Sequence, residues 1–279
     1  MPLVTVIVVI YSAEKYLRKC LDSLICQTLN DFELILVDDG CIDGSVKICD
    51  EYAKQDTRIK IIHKKNGGVG SARQCGVENA SGEYVIHVDP DDWVESTMLE
   101  EMYCNAVENL SDMVFCDYIQ HLNDGCVYKS QRPKSIDPLC IMRELFLNLH
   151  SACWNKLIRR ELFKKFDLSF PANMVVWEDL FMCVNLLSHD IRISYMPKAY
   201  YHYVSTINEN SLVRSVSRRK LDSMCFFIDY FEKKISGFDK TLFNLNKRKI
   251  EAKRTAFLIK NMKKNEFYQI YPEIDELFI

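Results

Sequence analysis

The sequence predicts an α/β fold: a mostly parallel sheet flanked by helices, followed by a C-terminal helical extension. Three observations predict it. Residues 3–88 alternate short apolar runs with segments of helical apolar spacing. The connections between them are short, which implies right-handed βαβ crossovers and a sheet covered by helices. From Ser217 onward the spacing is helical only, and the segment is loaded with Lys and Arg.

Taken in order, Leu3–Ile10 is apolar and β-branched throughout, as a strand buried on both faces must be. Glu14–Thr28 then places Tyr16, Leu17, Cys20, Leu21, Leu24 and Ile25 on one helical stripe. Strands follow at Phe32–Val37, Arg58–His63 and Glu83–Val88, with helices at Ser45–Lys54 and Gly70–Ala80 between them. Beyond residue 95 the pattern predicts a helix over Thr97–Asn109 and a strand over Met113–Ile119. A hairpin turn is expected at Asn123-Asp124-Gly125, and helices over Asp137–Leu149 and Glu178–Ser188. Two further strands are expected near Ile191–Met196 and Ala199–Val204, then helices over 217–236 and 240–264.

Composition narrows the function classes. Of 279 residues 48% are hydrophobic and 27% charged, which excludes disordered and low-complexity chains. The formal charge of −3 offers no nucleic-acid footprint. It hides an asymmetry: residues 212–265 carry 15 Lys+Arg against 5 Asp+Glu, while residues 1–211 carry 21 against 30. The twelve cysteines form no C-x-x-C pair, which argues against zinc and redox motifs and for reduced thiols in the cytoplasm. Leu3–Ile10 is too short for a signal or membrane segment, and no other run reaches the ~18 apolar residues of a membrane span.

In a sheet of this kind ligands sit at the C-terminal strand edges, and that is where the acids lie. The second strand runs into Asp38-Asp39-Gly40, with Asp43 expected to cap the next helix. A carboxylate at Asp39 can accept an N–H from a nucleobase edge. The fourth strand runs into Asp89-Pro90-Asp91-Asp92-Trp93. An Asp-x-Asp offers two hard oxygens to Mg²⁺ or Mn²⁺, and a diphosphate completes the octahedron. Between them, Asn66-Gly67-Gly68-Val69-Gly70-Ser71-Ala72-Arg73 lets the backbone approach a ligand. It does not follow the first strand, so the dinucleotide fingerprint is not met.

Leu3–Trp93 resembles the family 2 glycosyltransferases, through VIVVIYSAEKYLRKCLDSLICQT, ELILVDDGCIDGS, NGGVGSAR and GEYVIHVDPDDW. The resemblance continues more loosely through Trp154-Asn155-Lys156-Leu157 and Trp177-Glu178-Asp179-Leu180-Phe181 to about Arg214. It implies the GT-A (Rossmann-like) form of the sheet, with residues 1–95 as nucleotide-binding half, 96–211 as acceptor-side half and 212–279 as a basic helical extension. It implies an inverting, metal-dependent hexosyltransferase of the bacterial polysaccharide type. The donor would be a nucleotide-diphospho-sugar, a UDP-sugar first of all, and the acceptor a saccharide or lipid-linked saccharide.

Residue by residue, the resemblance puts Tyr11 near the uracil and gives Asp39 the uracil N3–H. Arg73 falls on the donor side. Asp89 and Asp91 form the D-x-D motif, Asp91 as the direct metal ligand and Asp89 nearer the ribose. Asp179 is the expected general base, and His202 with Arg214 closes over the diphosphate. The chain departs from the family pattern at Val9 (usually Pro), Ser12 (Asn), Cys41-Ile42 (Ser-Thr) and Gln74 (Asn). None of these removes a carboxylate on which the reading depends.

The remaining features have competing readings. Trp93, Trp154 and Trp177 are either sugar platforms or core. Asn155-Lys156 either touches the diphosphate or presents a surface Lys. His63, His87, His121, His150 and His189 show no metal spacing and read as structural. The extension combines Phe226, Phe227, Ile228, Tyr230 and Phe231 with Arg218, Arg219, Lys233, Lys234, Lys263 and Lys264. It reads as two packed helices with a solvated basic face, or as a peripheral contact with anionic membrane. Outside this class stand a catalytically inactive sugar- or nucleotide-binding protein and a nucleotidyltransferase. The latter would need a Gly- and basic-rich loop after the first strand, where Tyr11-Ser12-Ala13-Glu14-Lys15 stands instead.

Overall fold

The computed structural model describes residues 1–205, 217–234 and 245–258. The elements alternate as expected at the start: β1 (Val4–Ile10), α1 (Leu17–Ile25), β2 (Phe32–Asp38), α2 (Ser45–Ala53), β3 (Ile59–His63), α3 (Val69–Asn79) and β4 (Tyr84–Val88). There follow β5 (Trp93–Val94), α4 (Met98–Glu108), β6 (Met113–Leu122), β7 (Gly125–Lys129) and α5 (Pro138–Glu144). The last are β8 (Lys156–Arg159), α6 (Glu161–Lys165), α7 (Glu178–Leu186), β9 (Ile193–Val204), α8 (Arg218–Lys234) and α9 (Leu245–Leu258).

One sheet runs in the order β3-β2-β1-β4-β8-β6-β9-β5, with β7 paired to β6 as a hairpin. The first four strands are parallel, β1 taking Val4↔Phe32 on one side and Val4↔Tyr84 on the other. β8 is antiparallel to both β4 and β6, and β6 is parallel to β9, so β6 and β9 share the direction of β1. The topological switch falls at β1, whose neighbours β2 and β4 lie on opposite sides. A crevice at the C-terminal ends of β1, β2 and β4 is the place such a sheet offers a ligand.

The apolar runs do what their composition requires. Val4, Val6, Ile7, Val8 and Ile10 of β1 are fully buried, as are Leu34–Val37 of β2. Leu17, Cys20, Leu21 and Leu24 of α1 supply the covering stripe on one face. On α3, a Cβ at Gly76 would overlap the Ile7 side chain, so the glycine lets that helix lie close against β1.

Several elements differ from expectation. β8 and α6 fall where no periodic signal was read, because each is too short to carry one. The two strands expected at 191–204 are one strand with register shifts opposite Cys116–Tyr118 of β6. The helix expected over 137–149 stops at Glu144; Asp137 caps it by accepting the Cys140 N–H, and Pro138 stands at its start. The cap expected at Asp43 is Gly44 instead. Asp43 accepts the N–H groups of Ser45 and Glu14, while Glu14 accepts that of Gly44, tying the turn after β1 to the turn after β2.

The chain divides into two compact units, Met1–Asn173 with Glu178–Asn208 and Met174–Trp177 with Glu209–Ile279. In the second, Leu221, Met224 and Ile228 of α8 pack with Val176 and Ala252. Trp177 stands edge-on to Phe227 with the Arg248 guanidinium over its ring. Arg218, Lys233 and Lys249 pair with Asp222, Asp229 and Glu232. Lys263, Lys264 and Arg214 lie outside the described residues. Among the described residues no helix is long and apolar enough to cross a membrane.

Candidate active site

Three groups of side chains line the C-terminal strand edges. The first follows β1 and β2. Tyr11 is exposed and Ser12 turns the chain with φ of 52°. Asp38 faces inward: burial alone would raise its carboxyl, but the Cys41 N–H and His63 outweigh it and hold it below the usual value. Asp39 is 2% exposed and accepts from Lys64 Nζ at 2.6 Å and from the N–H groups of Gly67 and Gly68 at 2.9 Å each. Gly68 delivers its N–H with φ of +86°, which glycine adopts without strain. At the departures beside this turn, the Cys41 thiol donates to Ile10 O and burial pushes it up to about 12, while Ile42 is exposed.

The second group gathers around Arg73, which is 5% exposed on α3. Its Nη1 donates to Glu178 at 2.5 Å and to Asp179, and its Nη2 to Asp89 at 3.1 Å. Three carboxylates from two distant segments thus share one guanidinium. Burial pushes Glu178 up to about 7, with Asp179 adding to the rise and Arg73 opposing it. Burial likewise lifts Asp89 to about 6, partly offset by Arg73 and reinforced by Asp91. Asp179 also accepts the Cys153 N–H at 3.2 Å. Behind the cluster, His87 of β4 is buried with no hydrogen-bond partner at either ring nitrogen among the described residues. Burial, then Arg73, holds it down to about 3.

The acids after β4 have different fates. Asp92 turns inward, accepting from Tyr201 Oη and the Val204 N–H at 2.7 Å each, and so pins the loop to β9. Burial and the neighbouring acids raise it well above an ordinary Asp. Tyr201 Oη in turn accepts the Asp89 N–H at 3.0 Å. Asp89 and Asp91, by contrast, are only half-buried. They fit a divalent cation: the motif offers two hard carboxylate oxygens, and burial, reinforced by Asp91, has already raised Asp89. Among the described residues no group of three or more His, Cys, Asp or Glu side chains gathers as a metal cage.

The third group lies where β5 meets β9. His202 stacks on Trp93 with centroids 4.9 Å apart. Its Nε2 faces Glu95 at 2.8 Å and its Nδ1 faces His121 at 3.0 Å, so contact with a diphosphate would require exchanging one of these partners. Trp93 also carries the Lys19 ammonium over its ring. Trp154 is a core residue, stacked on Tyr201 and Tyr203. Lys156 is not the surface lysine of the second expectation: it is 2% exposed.

The structure thus joins Arg73, Asp89 and Asp179 directly, and sets Tyr11, Asp39 and His202 at the same sheet edge in separate groups. Sequence reading missed the Cys153 N–H and the inward turn of Asp92. A backbone donor has no signal in residue type, and three acids in a row do not say which one faces in.

The profile of Glycosyl transferase family 2 matches residues 5–167, more than half of the chain. The chain is 34% identical over 234 residues to the Bacillus subtilis glycosyltransferase EpsH and 35% identical over 228 residues to EpsJ of the same organism, covering 80% and 79% of this chain. It is 36% identical over 213 residues, 71% of this chain, to the cholesterol galactosyltransferase of Borreliella burgdorferi. It spans 66%, 66% and 59% of those relatives' lengths, somewhat less than two thirds. Among solved structures, Staphylococcus aureus TarS 1-349 in complex with UDP-GlcNAc superposes with a TM-score of 0.70 at 25% identity, over 83% of this chain and 67% of that one.

Proposed function

The chain belongs to glycosyl transferase family 2, and on that premise we propose that it moves a sugar, with inversion, from a UDP-sugar to an acceptor hydroxyl. The acceptor is a saccharide or lipid-linked saccharide of a bacterial surface polymer. The observation that carries this reading is the Arg73 cluster, which holds the Asp89 end of the D-x-D motif and the Glu178-Asp179 pair on one guanidinium at the switch-point edge. The UDP-GlcNAc bound by TarS supports the donor class.

Inverting transfer requires a base on the acceptor hydroxyl, charge neutralisation on the departing diphosphate, and both substrates held in line. Asp179 is the base: Arg73 and the Cys153 N–H fix its orientation, and each oxygen keeps a lone pair for the incoming proton. Asp89 and Asp91 hold Mn²⁺ or Mg²⁺, which when bound supplies Lewis-acid stabilisation to the diphosphate. Asp39, with Tyr11 beside it, takes the base edge of the nucleotide by sharing an oxygen now given to Lys64 or the glycine amides. His202 acts at the same edge by backing Trp93. None of the twelve cysteines is in a disulfide, which supports a reducing, cytoplasmic setting.

The test is a panel of nucleotide-sugars with Mn²⁺, read by thermal shift and nucleotide release. Stabilisation and slow UDP release from at least one UDP-sugar are expected; neither binding nor release across the panel removes the enzyme reading and leaves an inactive protein. Asp179→Asn should keep donor binding and lose all but a small residual rate of transfer. The basic extension is a second contact, with anionic membrane. Because the apolar stripe of α8 packs within its own unit, that contact would be electrostatic. Liposome flotation with and without anionic lipid tests it, and absence of binding in both removes it.

A further inference from the structure

Lys156 opens β8 with its ammonium wholly inside the protein. Nζ donates to His150 O at 2.9 Å, to Ala152 O at 2.6 Å and to Asn155 Oδ1 at 2.8 Å. An ammonium has three hydrogens, and all three are spent on neutral oxygens. Among the described residues no carboxylate lies within ion-pair reach of it. Burying a charge against neutral dipoles alone is costly, so what those bonds accomplish is worth asking.

All three acceptors belong to the loop before β8. The same loop is held by Asn155 Nδ2 donating to Cys116 O at 2.9 Å and by Cys183 Sγ donating to Ser151 O at 3.4 Å. One of its amides points the other way: the Cys153 N–H donates to Asp179. Ala152 C=O and Cys153 N–H are the two ends of a single peptide unit. That unit is planar and trans, since no cis bond occurs among the described residues, so its C=O and N–H point in opposite directions. Gripping the carbonyl therefore aims the amide. A cation on the carbonyl oxygen also polarises the unit and strengthens the N–H as a donor.

The geometry points to Lys156 as a positioning residue for the transfer reaction, its charge linked to the Asp179 carboxylate through the one peptide group between Ala152 and Cys153. The inference rests on the reading of Asp179 as base and adds to it the group that holds the base. It assigns Lys156 no contact with donor or acceptor, so its loss should slow the proton-transfer step and spare donor binding.

Lys156→Met keeps an unbranched side chain, one atom shorter, and removes the charge. With the donor that the panel identifies, kcat should fall about ten- to a hundredfold, the span expected for losing a hydrogen bond to a charged group, while the donor KM stays within about twofold. The same substitution in an Asp179→Asn background should lower the residual rate no further, because the carboxylate it serves is gone. Lys156→Gln, which keeps donors without charge, serves where the methionine variant does not fold, and thermal melts check both. A kcat within twofold of wild type, a change confined to KM, or an equal further loss in the Asp179→Asn background overturns the role of Lys156 and leaves the base standing. Undiminished transfer by Asp179→Asn alone overturns the base and this role with it.

Discussion

His87 offers a quantitative test of how the Arg73 cluster is built. The imidazole is 3% exposed, lies edge-on to Phe170, and has no hydrogen-bond partner at either nitrogen among the described residues. Burial, then the Arg73 guanidinium, lowers its pKa from 6.5 to about 3. Between those values the unfolded chain takes up a proton that the folded protein refuses, so His87 takes stability away as the pH falls through 6.5. With these two values the loss by pH 5 is about 2 kcal/mol. His87→Leu fills a similar volume with no titrating group. At pH 7.5 the variant should match or exceed wild type, since an unpartnered buried polar group costs about 1–3 kcal/mol. Between pH 7.5 and pH 5 the difference should widen by about 2 kcal/mol in favour of leucine. Urea unfolding followed by circular dichroism at both pH values measures it. A difference that stays constant, or narrows, would mean that His87 is charged or paired in the folded protein, and the account of a buried, neutral imidazole behind Arg73 would be refuted.

Neighbouring acids of one motif should behave in opposite ways. Asp91→Ala should abolish Mn²⁺-dependent donor binding, and chelation of wild type should do the same. Asp92→Ala strands the Val204 N–H and Tyr201 hydroxyl in the interior, and urea unfolding should report a loss of about 2–4 kcal/mol. Gly68→Ala forces a Cβ into positive φ at a strain of about 1–2 kcal/mol. Because the Gly68 N–H serves Asp39, calorimetric titration should show severalfold weaker donor binding, and unchanged affinity would separate Asp39 from the donor site.

Much of the site was readable because it rests on local rules. An uninterrupted β-branched run is a buried strand, so the acids that end such runs in β2 and β4 stand at the C-terminal edge of the sheet, as Asp39, Asp89 and Asp91 do. The family resemblance over Leu3–Trp93 pointed to the same residues, and the family 2 profile covers that stretch from residue 5 onward. What could not be read was partnership. Arg73 meets Glu178 and Asp179 at 105 and 106 positions' distance, and nothing in α3 announces either acid.

The sequence by itself determined the α/β alternation, the helical character of α8 and α9, and the placing of carboxylates at strand ends. Each follows from residue type and spacing within a few turns of chain. The tertiary structure decided the rest. It inserted β8 between β4 and β6, buried Asp92 while Asp91 stayed half-buried, occupied both nitrogens of His202, and buried Lys156 against the peptide group that meets Asp179. These depend on which distant groups share the low-dielectric interior, where every polar atom must find a partner. Spacing along the chain fixes where an acid or a lysine begins; only packing fixes what it faces.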